Sequence, residues 1–284
     1  MKILVFGASG MIGSAMFRIL STKTDWQVWG TLRSADFKRF FPEDQRDKLA
    51  VGIDVEKNDA LVRLFARVEP DVVVNCIGLT KHHKEADDPL LALPLNALLP
   101  HRMADLCAVA GARLIHISTD CVFAGTKGNY VEGDAADARD VYGKSKHLGE
   151  VDYPHAITLR TSTIGHELQS SYGLLEWFLM QQGSCKGFNR AIFSGLTNTV
   201  FAQVVRDVVI PRPDLHGLYH VGAEPIGKYE LLKLIANVYG KQIDIVRDDE
   251  FSIDRSLNSV RFGLATGYKP VGWPELIQAM HASK

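Results

Sequence analysis

The sequence lacks the marks of several protein classes at once. Its four cysteines, Cys76, Cys107, Cys121 and Cys185, form no CxxC pair and stand in no His-rich metal spacing. That pattern speaks against a structural zinc and for free thiols in a reducing compartment. Net charge is almost absent, with 32 Lys and Arg against 33 Asp and Glu leaving −1. Nothing in this balance draws the chain to nucleic acid or an anionic membrane, although a local basic pocket stays open. No apolar run approaches a membrane span, and there is no internal repeat or low-complexity linker. The apolar opening "MKILVFGASG" stops at a glycine loop rather than a cleavage site, so it reads as a buried strand. The expectation is a cytoplasmic protein with no metal, no nucleic-acid partner and no membrane partner.

What is present is a regular alternation. The 284 residues, 46% hydrophobic, can bury the core of one large domain or two modest ones. Strand-like runs fall at 2–6, 27–32, 49–53, 71–77, 112–118 and 156–161, with helix patterns between them at 11–22, 57–68, 96–110 and 140–150. Buried strands alternating with helices predict an α/β fold: a Rossmann-type doubly wound parallel sheet. Pro100 fits the helix only in its first turn. Beyond residue 165 the alternation weakens. "GLLEWFLMQQ", "KYELLKLIANVYG" (ended by Gly240) and "WPELIQAM" (with Pro274 at its start) read as helices of a smaller mixed C-terminal substrate-binding lobe. The expected division is 1–165, completed by 196–222, for the dinucleotide-binding domain, and 166–195 with 223–284 for the lobe.

"FGASGMIGSA" follows the first strand and opens a helix, with Gly7, Gly10 and Gly13 in a GxxGxxG spacing. One glycine permits the tight turn, one lets backbone approach a pyrophosphate, and one lets helix pack on strand. Gly7, Ser9, Gly10, Met11, Ile12 and Gly13 are therefore candidate cofactor contacts at a helix N-terminus suited to phosphate. A binder of the unphosphorylated nicotinamide dinucleotide usually carries an acid after the second strand. Here "WGTLRSADF" offers Arg33 and Ser34 before any acid. Arg33 suits a ribose 2′-phosphate, which favours NADPH and leaves NADH open; a solvated surface arginine is the bland alternative.

Tyr142 and Lys146, in "VYGKSKHLGE", stand one helical turn apart and leave the same face. Such a pair also arises by chance on exposed helices. Together with the glycine loop, however, the chain resembles the extended short-chain dehydrogenases/reductases. "HISTDCVFAGTKGNYVEGD" at 116–134 is similar to the STDxVF segment of the dTDP-4-dehydrorhamnose reductase family. "VNCIGLT", "LNA", "LRTS", "GLYHV" and "DRSLNS" follow in the family's order, so the likeness spans nearly the whole chain.

By position, the resemblance implies that Thr119 hydrogen-bonds the substrate oxygen and that Tyr142 is the acid/base. Lys146 would hold the nicotinamide ribose and lower the tyrosine's pKa. It places Asp54 and Val55 beside the adenine, and Cys76, Ile77 and Gly78 along the cofactor. Asn96 would help relay protons, and Thr80, Asp120, Cys121 and Arg255 would meet the nucleotide sugar, with Arg255 the candidate for its diphosphate. Trp177 and Phe178 could stack on base or sugar, with a core role expected for at least one; Arg160 reads as structural.

The chain departs from the family at Cys121, often aromatic there, at Ser256, and in the basic run Lys81, His82, His83 and Lys84. These histidines lack a third ligand, so no metal is expected. The implied activity is NADPH-dependent reduction of a 4-keto-6-deoxy nucleotide sugar. The alternatives are an epimerase or dehydratase of the same superfamily, or a non-catalytic NADP-binding regulatory subunit. Only Asp120 follows Thr119, where dehydratases usually have an acidic pair, which tilts toward reduction. Members commonly dimerise through helices flanking the sheet, so a homodimer is the implied assembly, with no interface readable from the sequence.

Overall fold

The computed structural model describes residues 1–81 and 84–283. The order is β1 (Lys2–Phe6), α1 (Met11–Leu20), β2 (Gln27–Leu32), β3 (Leu49–Val51), α2 (Asn58–Val68), β4 (Val72–Asn75), α3 (Pro89–Ala92), α4 (Leu99–Ala110), β5 (Arg113–Thr119), α5 (Val141–Leu148) and β6 (Ala156–Thr161). The remainder is β7 (Thr163–Ile164), α6 (Leu174–Met180), β8 (Ser184–Phe193), β9 (Leu196–Thr197), α7 (Asn198–Val204), β10 (Gly217–His220), β11 (Ile226–Gly227), α8 (Lys228–Tyr239), β12 (Asp244–Asp254), α9 (Val260–Thr266) and α10 (Trp273–Ala282). No helix among the described residues is long and apolar enough to cross a membrane.

Seven strands form one sheet in the order β10-β6-β5-β4-β1-β2-β3, every pair parallel. Chain order reverses between β1 and β4, so their carboxyl ends open a crevice, the place where doubly wound sheets bind ligands. Strand alternation fills both faces. Ile3 and Val5 of β1 enter one apolar cluster with Phe17 of α1 and Phe201 of α7, while Leu4 and Phe6 enter another with Leu61 of α2 and Met103 of α4. A mixed sheet, β11-β8-β12, lies apart, with β12 parallel and β11 antiparallel to β8.

The expected elements survive with shifted ends. The third strand stops at Val51 because Gly52 takes φ +73. The helix expected from residue 96 begins earlier, at Pro89, and runs through a π-helical segment, Leu93–Leu98, into α4. Pro100 sits in the first turn of α4. Lacking an N–H, it cannot bond the carbonyl four residues back, and a widened turn accommodates the lost bond. The long strands β8 and β12 were not expected: "DIVRDDEFSID" is largely charged and half exposed, without the apolar run of a buried strand.

Candidate functional site

The glycine loop is built by close approach. Gly7 has φ +81, and a Cβ on Gly13 would lie 2.0 Å from the Gly7 carbonyl oxygen, so α1 can start flush against β1 only with hydrogen at that position. Gly7 N–H donates to Thr31 Oγ1 at 3.0 Å, tying the loop to β2. Gly10 caps α1 without a side-chain hydrogen bond and the first turn carries no acid, leaving the positive helix end for an external anion.

This loop borders a cavity of about 1350 Å³ running along the carboxyl edge of the sheet. Gly7, Ser9, Gly10 and Met11 form one wall, with Arg33, Asp54 and Val55 beyond them. Cys76, Ile77, Gly78 and Thr80 line the stretch after β4, and Asp120 and Arg255 the far end. Ile12, Gly13 and Ser34 are not on the wall. The Ser34 hydroxyl is engaged with Asp36, accepting its N–H at 3.2 Å and donating to its carboxylate at 3.1 Å. Trp177 reaches the cavity while Phe178 is fully buried, so the two neighbours divide between site and core. His82 and His83, with the side chain of Lys84, lie outside the described residues.

Thr119, Tyr142 and Lys146 stand behind this wall rather than on it. Asp140 caps α5, accepting the Gly143 N–H at 2.7 Å. A Cβ on Gly143 would sit 2.3 Å from the Cys121 carbonyl oxygen, so the bare glycine lets α5 press against the turn after β5. That contact brings Tyr142 within hydrogen-bonding reach of Thr119. Thr119 Oγ1 accepts the Cys121 N–H and donates to Asp120 Oδ1, both at 3.1 Å. One turn on, Lys146 Nζ donates to the Ile117 carbonyl at 2.7 Å and lies 3.8 Å from where a Gly78 Cβ would be, just under the cavity's lining loop.

Burial governs the electrostatics of this group. Burial pushes the Tyr142 phenol well above its ordinary value; Cys121 adds to this, the hydrogen bond with Thr119 pulls back, and Asp120 and Asp140 push up again. Burial, not the lysine, dominates the phenol in this structure. The lysine itself is brought down to about 8 by burial, against the upward pull of Glu150 and Cys76. Cys76 is pushed up to about 12 by burial, with Lys146 opposing.

Asn96 sits fully buried within the π-helical segment. Its carboxamide accepts the Leu79 N–H at 2.8 Å and donates to Leu79 O at 3.0 Å and Ser145 Oγ at 3.1 Å. These bonds clamp the lining loop to α5. Arg160 is structural, bidentate on Glu150 with both bonds 2.7 Å. Lys228 lines the far end of the cavity beside Asp120 and Arg255 and was not foreseen. It opens the helix pattern "KYELLKLIANVYG", where a lysine reads as surface.

The parallel sheet with its reversal point, the glycine turn and the Thr–Tyr–Lys group define an extended short-chain dehydrogenase/reductase fold. The comparisons with known proteins narrow that class. Residues 1–181 match the model of the RmlD substrate binding domain, and the chain belongs to that family. The methionine adenosyltransferase 2 subunit beta of Danio rerio is 30% identical over 84% of this chain and 74% of its own. The dTDP-4-dehydrorhamnose reductase of Aggregatibacter actinomycetemcomitans is 24% identical over 79% of this chain and 74% of its own. The solved dTDP-4-dehydrorhamnose reductase of Bacillus anthracis, in complex with NADP, superposes with TM-score 0.81 at 17% identity, covering 100% of this chain and 98% of that one.

Proposed function

We propose that the protein is an NADPH-dependent oxidoreductase that reduces the ketone of a 4-keto-6-deoxy nucleotide sugar. The observation that carries this reading is the gathering of Tyr142, Thr119 and Lys146 behind a cavity that begins at an uncapped glycine-loop helix. Residues 1–165 with 196–222 hold the cofactor in this reading, and 166–195 with 223–284 close on the sugar nucleotide. Gly7, Ser9, Gly10 and Met11 would cradle the dinucleotide pyrophosphate, with Ile12 and Gly13 supporting them from the helix. Arg33 would meet a 2′-phosphate. NADH would fit the same crevice with that contact unused. When bound, the cofactor supplies the hydride that adds to the carbonyl carbon.

Thr119 orients the carbonyl, turning the hydroxyl it now donates to Asp120 toward the substrate oxygen. Tyr142 gives its proton to the oxygen as the alkoxide forms, so the ketone becomes an alcohol. A phenol pushed upward by burial is fully protonated at neutral pH, the form a donor needs. Lys146, fixed by Ile117 and adjacent to the Gly78 loop, would hold the nicotinamide ribose. Arg255 would meet the substrate diphosphate.

Incubating the protein with NADPH and a dTDP-linked 4-keto-6-deoxy sugar should consume NADPH stoichiometrically. Y142F should lose about 100-fold or more in kcat while still binding NADPH. Unchanged turnover in Y142F would sink this assignment. The match to a subunit of another enzyme over most of both chains favours a second reading, a non-catalytic NADP-binding regulatory subunit. Tight NADPH binding without turnover of any keto sugar, plus co-purification with a second enzyme, would select it.

A further inference from the structure

Three cations converge on Cys121. Lys81 Nζ lies 3.5 Å from its sulfur and Arg255 Nη1 3.8 Å. Lys228 shares the neighbourhood: burial lowers its pKa first and Lys81 next, Asp120 and Cys121 oppose, and Arg255 lowers it further. Lys81, Asp120, Lys228 and Arg255 all line the same end of the cavity. Arg255 is fixed there, its Nε donating to the Phe123 carbonyl at 2.7 Å. Gly125 leaves room for its stem, since a Cβ there would come 2.9 Å from Arg255 Cγ. Among the described residues none of the three cations makes an ion pair, and the adjacent carboxylate, Asp120, already accepts a hydrogen bond from Thr119.

Gathered like charges destabilise a fold unless something compensates them. Lys228 shows the conflict most clearly. It is the first residue of α8, at the positive end of the helix dipole, and the cap, Gly227, gives no side-chain bond. Among the described residues its ammonium makes no hydrogen bond. A residue that breaks a local rule without a structural gain points to a ligand. Cys121 is buried beneath the cavity lining, and Lys81 and Arg255 meet over its sulfur.

We propose that Lys81, Lys228 and Arg255 together bind one oxyanion of the substrate, a phosphate or a carboxylate, over Cys121 and beside the carbonyl held by Thr119 and Tyr142. The carbonyl's identity rests on the reductase reading; the anion site rests on the cavity and its charges. Cys121 N–H donates to Thr119 Oγ1 at 3.1 Å, so the thiol under the cations and the hydroxyl that orients the carbonyl belong to one short turn. A sugar nucleotide has two groups that can lie there, the diphosphate on its anomeric carbon or a carboxylate on the sugar itself.

Calorimetric titration of inorganic pyrophosphate and, separately, of glucuronate into the full chain tests this, with and without saturating NADP⁺. At least one probe should bind the wild type. K228Q should weaken it about tenfold or more, and K228R should restore most of the affinity. The K228Q melting temperature should equal or exceed the wild type's, because a cation leaves the helix N-terminus. K81Q, at an exposed side chain, should repeat the loss without touching a helix. Tighter pyrophosphate assigns the site to the diphosphate; tighter glucuronate assigns it to an acidic sugar. No binding of either probe, or wild-type affinity in both K228Q and K81Q, overturns the proposal. Failure to turn over any keto sugar would remove the reductase reading and leave these affinities as they are.

Discussion

A threonine that donates to the neighbouring carboxylate, and a lysine that donates to a backbone carbonyl, are both satisfied without ligand. Substrate and cofactor would replace those partners one for one, so binding would cost little in unmade hydrogen bonds. Arg33 is different: it is exposed on the cavity wall and makes no ion pair among the described residues. If it reads a 2′-phosphate, R33A should lower NADPH affinity about tenfold or more while leaving NADH affinity nearly unchanged. Paired fluorescence titrations check this, and an unchanged ratio would remove Arg33 from the site. Arg33 and the glycine loop were legible because their geometry is local, a turn and a strand end within a few residues. Lys228 was not legible, because it meets Asp120 only through the fold, more than a hundred residues away.

At the scale of elements, two devices aim the site. The π-helical segment before α4 turns Asn96 inward to hold the lining loop, and Gly143 lets α5 close on the turn after β5. Neither was readable from the sequence. A helix interrupted by Pro94 and Pro100 announces irregularity but not its form, and a glycine in a YxxxK run has no local need for small size. An added methyl at Gly143 would come 2.3 Å from the Cys121 carbonyl and 2.4 Å from Ala138 Cβ. G143A should therefore push α5 outward and cost about 1–3 kcal/mol of stability. The misplaced phenol should lower kcat about 100-fold, while NADPH affinity changes little because the glycine loop is untouched. Denaturant melts and single-turnover rates measure both; wild-type values in both would show that α5 has slack.

Across the whole molecule, one buried ion pair joins the parts that the chemistry needs in register. Glu150, two residues past α5, accepts from Ser118 of β5 at 2.7 Å and takes both bonds of Arg160 on β6. Arg160 Nη1 donates to His220 Nε2 on β10 at 3.3 Å, and His220 Nδ1–H donates to the Tyr130 carbonyl at 3.0 Å. Tyr130 in turn pairs with Leu257, so the network reaches the segment that carries Arg255. Burial opposes the charge on Glu150, yet Arg160, His147 and Ser118 outweigh it and hold the carboxyl at about 2, against an ordinary 4.5.

A depressed carboxylate binds fewer protons folded than unfolded, so its contribution is complete above the ordinary value and fades as pH falls toward 2. Wild-type unfolding free energy should therefore drop between about pH 4.5 and pH 2 by an amount on the order of 3 kcal/mol from this group. E150Q should be destabilised at neutral pH by about 3–5 kcal/mol, because Arg160 is left buried without its counter-charge, and should lose that part of the acid dependence. Urea melts at a series of pH values decide it. Parallel slopes for the two proteins below pH 4.5 would mean that the register of α5, β5 and β6 is held by packing, and the ion pair merely fits between them.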